Sequence, residues 1–156
     1  MNDLPMDDLR DLYEEVILDH NRNPRNYPRR PERTNHSAHG FNPVCGDEFF
    51  VYLHVDDGII RDIGFDGAGC AISTASASLM TEALKDRPVA DAERLFHEVH
   101  GLLTEERQVG GPGEFLGKLT VLTGVKEYPM RVKCATLAWH TMKAALHDDS
   151  ETVCTE

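Results

Sequence analysis

The sequence predicts an α+β domain: a small antiparallel sheet packed against helices, with a metal site at the end of the sheet. Three observations carry this. Apolar and other residues alternate strictly from Phe49 to Val55, and Asp57-Gly58 then supplies a hairpin turn. Apolar residues at helical spacing stand on both sides of that hairpin. Cys45 and Cys70 lie just beyond its two open ends, so the pairing of the strands brings them together.

The elements follow in chain order. Met6, Leu9, Leu12, Tyr13, Val16 and Ile17 recur at i, i+3, i+4 spacing, which predicts an amphipathic helix. Asn21-Arg22-Asn23-Pro24 ends it, because asparagine and proline stop helices. Pro24 to Pro43 reads as a loop; one this long is either functional or draped over the core. Phe49, Val51, Leu53 and Val55 then form one face of a strand, and Ile59 to Phe65 returns beside it. Gly67 and Gly69 suit a sharp strand-to-helix turn, after which Ile72, Ala75, Leu79 and Ala83 mark a helix opening at Cys70. Ala92, Leu95, Phe96 and Val99 suggest a further short helix. Gln108 to Glu114 is too glycine-rich for regular structure and reads as a mobile loop. Pro129 announces the last helix, striped by Ala135, Ala138, Trp139, Met142, Ala145 and Leu146. Residues 1–146 are thus expected to form a single domain, and the acidic tail 147–156 to be disordered.

The chain has 156 residues, 40% hydrophobic and 28% charged, as expected of a soluble domain with one core. A net charge of −11 argues against nucleic acid as a partner and favours one with a basic surface. No apolar run is long enough to cross a membrane. Met1 to Asp8 lack the basic start and apolar core of a signal peptide, so the expected compartment is the cytoplasm. In that reducing setting the four cysteines, Cys45, Cys70, Cys134 and Cys154, are not expected to form disulfides.

A thiol in the first turn of a helix meets unpaired backbone N–H groups and the positive end of the helix dipole. Such placement lowers a cysteine pKa from about 8.5 to roughly 3.5–7.5. Cys70 therefore looks built to carry negative charge, the alternative being a small buried hydrophobe. Cys134 stands near a second helix start. Three sulfurs from Cys45, Cys70 and Cys134 with the carboxylate of Asp47 suit a tetrahedral zinc ion. Closed structural sites usually use only cysteine and histidine, so the oxygen ligand hints at an exchangeable position. The plainer alternative makes Asp47 a strand-start residue and leaves the cysteines unrelated, since no C-x-x-C pair is present. His36 with His39, and His97 with His100, are competing pairs; a solvated face is the commoner role for such histidines. Cys154 reads as an exposed, inert thiol. Arg131 and Lys133 sit awkwardly for cations at a helix N-terminus, which fits a role beside an anionic site or an acidic partner. Serines 73, 76 and 78 lack a Gly-x-Ser-x-Gly elbow, which excludes the usual serine hydrolase arrangement.

Several motifs coincide with a known pattern: Tyr13 to His20, Asn23-Pro24-Arg25-Asn26, Pro43-Val44-Cys45-Gly46-Asp47, Gly69-Cys70-Ala71-Ile72-Ser73, Ser76-Ala77-Ser78 and Lys133-Cys134-Ala135. Through them the chain resembles the IscU/NifU-N family of iron–sulfur cluster assembly proteins from about Leu9 to Leu146. Lys133, where shorter scaffold members carry histidine, and extra residues around Gly101 to Lys118 resemble its SufU branch. So does Tyr128 to Trp139. The resemblance implies a SufE/NifU-like fold and zinc held by Cys45, Asp47, Cys70 and Cys134. It also implies a function as sulfur acceptor for a SufS-type cysteine desulfurase, working with a downstream iron–sulfur assembly complex. Cys45 would take the persulfide sulfur after a desulfurase histidine replaces it on the metal, and Arg131 would engage that partner. The alternative is a non-catalytic scaffold on which an iron–sulfur cluster forms, with the same cysteines as ligands. A structural zinc domain that docks onto a partner is a third reading.

Overall fold

A computed structural model of the chain describes residues 6–104, 117–147 and 153–154. Helix α1 (Met6–Arg22) is followed by strands β1 (His36–Asn42), β2 (Asp47–Asp56) and β3 (Ile59–Ala68). Helices α2 (Ala71–Leu84) and α3 (Val89–Thr104) come next, then a 3₁₀ helix (Gly117–Glu127), helix α4 (Pro129–Leu146) and the two-residue strand β4 (Val153–Cys154). The sheet order is β3-β2-β1-β4; β1, β2 and β3 are antiparallel and β4 joins β1 in parallel. The Gln108–Glu114 loop reading lies outside the described residues.

The alternation in β2 becomes burial: Phe49, Val51 and Leu53 are fully buried while Glu48 and Phe50 are exposed. Asp57 and Gly58 both take positive φ (54° and 73°), as the tight turn between right-twisted strands requires. Helix α4 covers the inner faces of β1 and β2, and α2 packs between α1 and α4. The small residues of α2 explain that close fit. Ser73, Ala75, Ser76, Ala77 and Ser78 are all fully buried. Ser76 Oγ donates to the Ala135 carbonyl at 2.6 Å and accepts from the Trp139 indole at 3.2 Å, tying α2 to α4. At Gly40 an added Cβ would collide with the side chain of Thr141, so β1 approaches α4 as only glycine allows.

Two expectations need correcting. The stretch expected as loop up to Pro43 contains β1, which pairs from His36↔Leu53 to Asn42↔Asp47. Its sequence, His-Ser-Ala-His-Gly-Phe-Asn, lacks the β-branched alternation that announces a strand; pairing with β2 and cover from α4 supply the stability instead. The helix marked by Ala92 to Val99 is also longer than short, at 16 residues. The rest of the long connection is draped as one reading anticipated. The Arg29 N–H donates to the Phe65 carbonyl and the Phe65 N–H to the Asn26 carbonyl, both at 3.1 Å, and Arg29 pairs with Asp62. Within the tail, Val153 and Cys154 pair with Gly40 and Phe41.

Candidate metal centre

The site stands where β2 begins, β3 ends and two helices start. Asn42 and Asp47 face each other across the hairpin, and residues 43–46 form its loop. Within that loop the Asn42 Oδ1 accepts the backbone N–H of Val44 (3.0 Å) and of Cys45 (3.4 Å), while the Asn42 carbonyl accepts from the Gly46 N–H at 2.8 Å. Gly46 has φ +74°, which closes the turn. Cys45 is thereby held half-buried, at the rim of the group.

Cys70 is the N-cap of α2, and its sulfur accepts from the Ser73 N–H at 3.4 Å, taking the place of the usual capping oxygen. The Ser73 hydroxyl lies 3.4 Å from the same sulfur and donates to the Cys70 carbonyl at 3.0 Å. Asp47 is buried, and its Oδ1 accepts the Cys70 N–H at 2.9 Å; Oδ2 stands 3.9 Å from the Cys70 sulfur. One carboxylate thus fixes the start of β2 against the start of α2. Gly69 makes the approach possible: a Cβ there would collide with Ser73 Oγ and stand 2.8 Å from the Phe49 ring and 3.1 Å from Asp47 Oδ1. The Tyr27 hydroxyl donates to the Gly67 carbonyl at 2.6 Å and pins the same turn from outside.

Cys134, in the second turn of α4, is fully buried, and its sulfur lies 2.9 Å from that of Cys45. That is well beyond the S–S bond of about 2.05 Å, so no disulfide joins them and one thiol hydrogen-bonds the other. The ligand atoms of Cys45, Asp47 and Cys134 all lie within 4.8 Å of one another. Cys70 adjoins this trio through Asp47. Burial pushes the Cys134 thiol well above its ordinary range; the hydrogen bond with Cys45 and the charge at Cys70 and Asp47 add to the effect. Arg131 answers from the exposed side. Its guanidinium is pushed up by hydrogen bonding to Cys134, and by the charge of Cys70 and Cys134.

A bound divalent cation would reverse that penalty, since it deprotonates a coordinating thiol outright. Cys45, Asp47 and Cys134 converge, while Cys70 stands outside that trio as a third sulfur beside Asp47; soft sulfurs with one carboxylate fit a zinc ion in donor type. Two thiolates on one tetrahedral zinc stand roughly 3.8 Å apart, so the Cys45 and Cys134 sulfurs, 2.9 Å apart here, would part by about 1 Å to share the ion. The histidine pairs lie elsewhere. His36 Nδ1 is 3.0 Å from the Ala145 carbonyl, His39 pairs with Glu48 and stacks on Phe50, and His100 packs against Phe96 and His140. Asn42 and Ser73 were not singled out as site residues by the sequence. The only signal for Asn42 was an asparagine before Pro43 in a loop, and Ser73 was weighed only as a hydrolase serine and as part of the Gly69–Ser73 motif.

A three-stranded antiparallel sheet backed by helices, with thiols and a carboxylate converging at its end, defines a class of small α+β proteins built around a metal-binding group. Comparison with known proteins identifies the class further. The family model described as the NifU-like N-terminal domain matches residues 12–136, and the chain belongs to that family of iron–sulfur cluster assembly proteins. It is 38% identical to the iron–sulfur cluster assembly scaffold protein IscU of Thermotoga maritima, over 86% of this chain and 92% of that protein. It is 35% identical to the zinc-dependent sulfurtransferase SufU of Bacillus subtilis, over 85% of this chain and 87% of that protein. Among solved structures it resembles a putative iron–sulfur cluster assembly scaffold protein for the SUF system from Fervidobacterium islandicum. The TM-score is 0.77 at 32% identity, covering 85% of this chain and 94% of that one.

Proposed function

We propose that this chain is a zinc-dependent sulfurtransferase that accepts persulfide sulfur at Cys45 from a SufS-type cysteine desulfurase and passes it to a downstream assembly complex. The observation that carries this reading is the unequal placement of the three thiols. Cys134 is buried in α4 and Cys70 is fixed as a helix cap, whereas Cys45 is half-exposed on a four-residue loop. Cys45, Asp47, Cys70 and Cys134 are the residues that would hold zinc. When bound, the ion would keep thiolates deprotonated at neutral pH. In the transfer, the Cys45 thiolate attacks the outer sulfur of the desulfurase persulfide. A new S–S bond forms on Cys45 while the donor cysteine leaves as thiolate, so the step is redox-neutral. Arg131, exposed beside the sulfurs, offers positive charge to the incoming partner. The free thiols suit a reducing cytoplasm, and among the described residues no helix is long and apolar enough to cross a membrane.

The similarity to the Thermotoga scaffold supports a second reading, in which an iron–sulfur cluster is assembled on the same cysteines. Purified protein decides between them. The sulfurtransferase is expected to be colourless with about one zinc per chain, as a single tetrahedral site requires. Brown anaerobic protein containing iron and acid-labile sulfide would support the scaffold. Desulfurase turnover with Cys45→Ser is the mechanistic test: stimulation is expected to vanish, and peptide mapping of the wild type to place the added sulfur atom on Cys45. Wild-type stimulation by Cys45→Ser, or an adduct on Cys154, would overturn the assignment.

A further inference from the structure

We propose that Asn42 is a positioning residue for Cys45, with its side-chain Oδ1 shaping the loop and its Nδ2–H donating to the Cys45 sulfur in the metal-loaded site. The inference rests on the zinc reading above and deepens it.

Asn42 is buried, with about 1% of its surface exposed, at the end of β1 opposite Asp47. Its Oδ1 accepts the N–H groups of Val44 and Cys45, which settles which end of the amide is oxygen. The other end, Nδ2, is buried and has no hydrogen-bond partner among the described residues. Leaving an amide donor buried and unpaired forfeits its hydration without return, so native proteins rarely tolerate it without a reason. A serine at this position would close the same turn without leaving a buried NH₂ group to satisfy. The amide's unused end calls for an acceptor close to this loop. The sulfur of Cys45 is the fitting one. The amide already grips the backbone of Cys45, whose sulfur lies 2.9 Å from that of Cys134. A cation held by these residues would release both thiol protons to solvent, and a thiolate is a strong acceptor. Partners of this outer kind orient ligands and typically change metal affinity 10–100-fold.

Asn42→Asp isolates the donor. The carboxylate keeps an oxygen for the Val44 and Cys45 N–H groups, so the zinc-free variant is expected to melt close to the wild type. By simple electrostatics an extra negative charge tightens zinc. The proposal predicts the opposite, a loss of about 10–100-fold in zinc affinity measured by competition with a chelator. It also predicts that the sulfur-to-metal band of the cobalt-substituted protein moves to longer wavelength, because a thiolate without its hydrogen bond is a better electron donor. Zinc affinity equal to or tighter than wild type, or an unmoved cobalt band, overturns the proposal. Failure of the wild-type chain to bind zinc or cobalt at all would overturn the zinc reading itself, and is thereby distinguished.

Discussion

At the scale of single residues, Asp47 joins two jobs that a ligand search alone would separate. It is a donor of the metal group and also the acceptor that fixes the Cys70 N–H at the start of α2. Asp47→Ala is therefore expected to lower stability by about 1–3 kcal/mol even in the zinc-free protein, because a buried N–H is orphaned. The same variant is expected to stop sulfur transfer even where zinc is retained. Denaturant melts of the zinc-free forms, alongside desulfurase turnover, check both halves; unchanged stability would show that the bond to Cys70 is expendable. Arg131 contrasts with it. Being exposed and a cation, Arg131→Ala is expected to leave zinc content unchanged while weakening partner engagement. Loss of zinc in that variant would contradict the division of roles.

At the scale of elements, helix α2 shows why the site is rigid on one side. Its serines and alanines let α1 and α4 close in, and Ser76 bridges to both the Ala135 carbonyl and the Trp139 indole. Trp139→Phe keeps most of the apolar volume but removes the indole donor, with an expected cost of about 1–3 kcal/mol by chemical denaturation from the lost bond and the space left. Gly69→Ala is expected to be worse for the metal than for the fold. Its methyl would press on Ser73, Phe49 and Asp47 together, so zinc content should fall before the melting curve does. These elements also show what a sequence displays. The β2–β3 hairpin and the capping position of Cys70 were legible because alternation, Asp57-Gly58 and the glycines before Cys70 are local signals. Strand β1 was not, since pairing with β2 and cover by α4 make it a strand, and neither is local. The 3₁₀ helix over Gly117–Glu127 was missed for a related reason: its burial of Leu119 and Leu122 depends on neighbours distant in sequence. In the site, residue types pointed to the sulfurs and Asp47 with an unrelated-cysteine reading still open, and the resemblance singled them out; Cys45, Asp47 and Cys134 do converge. Asn42 stayed hidden, because an asparagine before a proline reads first as a turn.

At the scale of the whole molecule, the proposed zinc would share the work of stability with the buried core. Structural zinc can contribute on the order of 10 kcal/mol to a small domain. Here the core built on Phe49, Phe65, Leu79 and Trp139 is expected to hold some fold without it. Complete zinc removal should lower the melting temperature substantially, and an unchanged melt would count against the site.

Stability is also expected to fall on the acid side of neutrality, for reasons remote from the sulfurs. His20 is buried under α2, with Nδ1 2.7 Å from Ser78 Oγ. That hydroxyl oxygen also accepts the Arg25 N–H at 2.8 Å, which ties the imidazole to the chain after α1. Burial, and then the charge of Arg25, depress the pKa of His20; Lys118 adds to this while Glu82 and Asp19 oppose it. His140 is likewise depressed, by burial first and then by His100 and Lys143. A group whose folded pKa lies below its unfolded value of about 6.5 stabilises the fold fully above that pH. The contribution is lost as pH falls from there through the folded pKa. Urea melts of the zinc-loaded protein between pH 8 and pH 5 would measure the slope. His20→Gln and His140→Phe are each expected to flatten it, while any loss of metal at acid pH is common to all three proteins and cancels. Variants that lose stability as steeply as the wild type would show that these imidazoles do not set the acid limit of the fold.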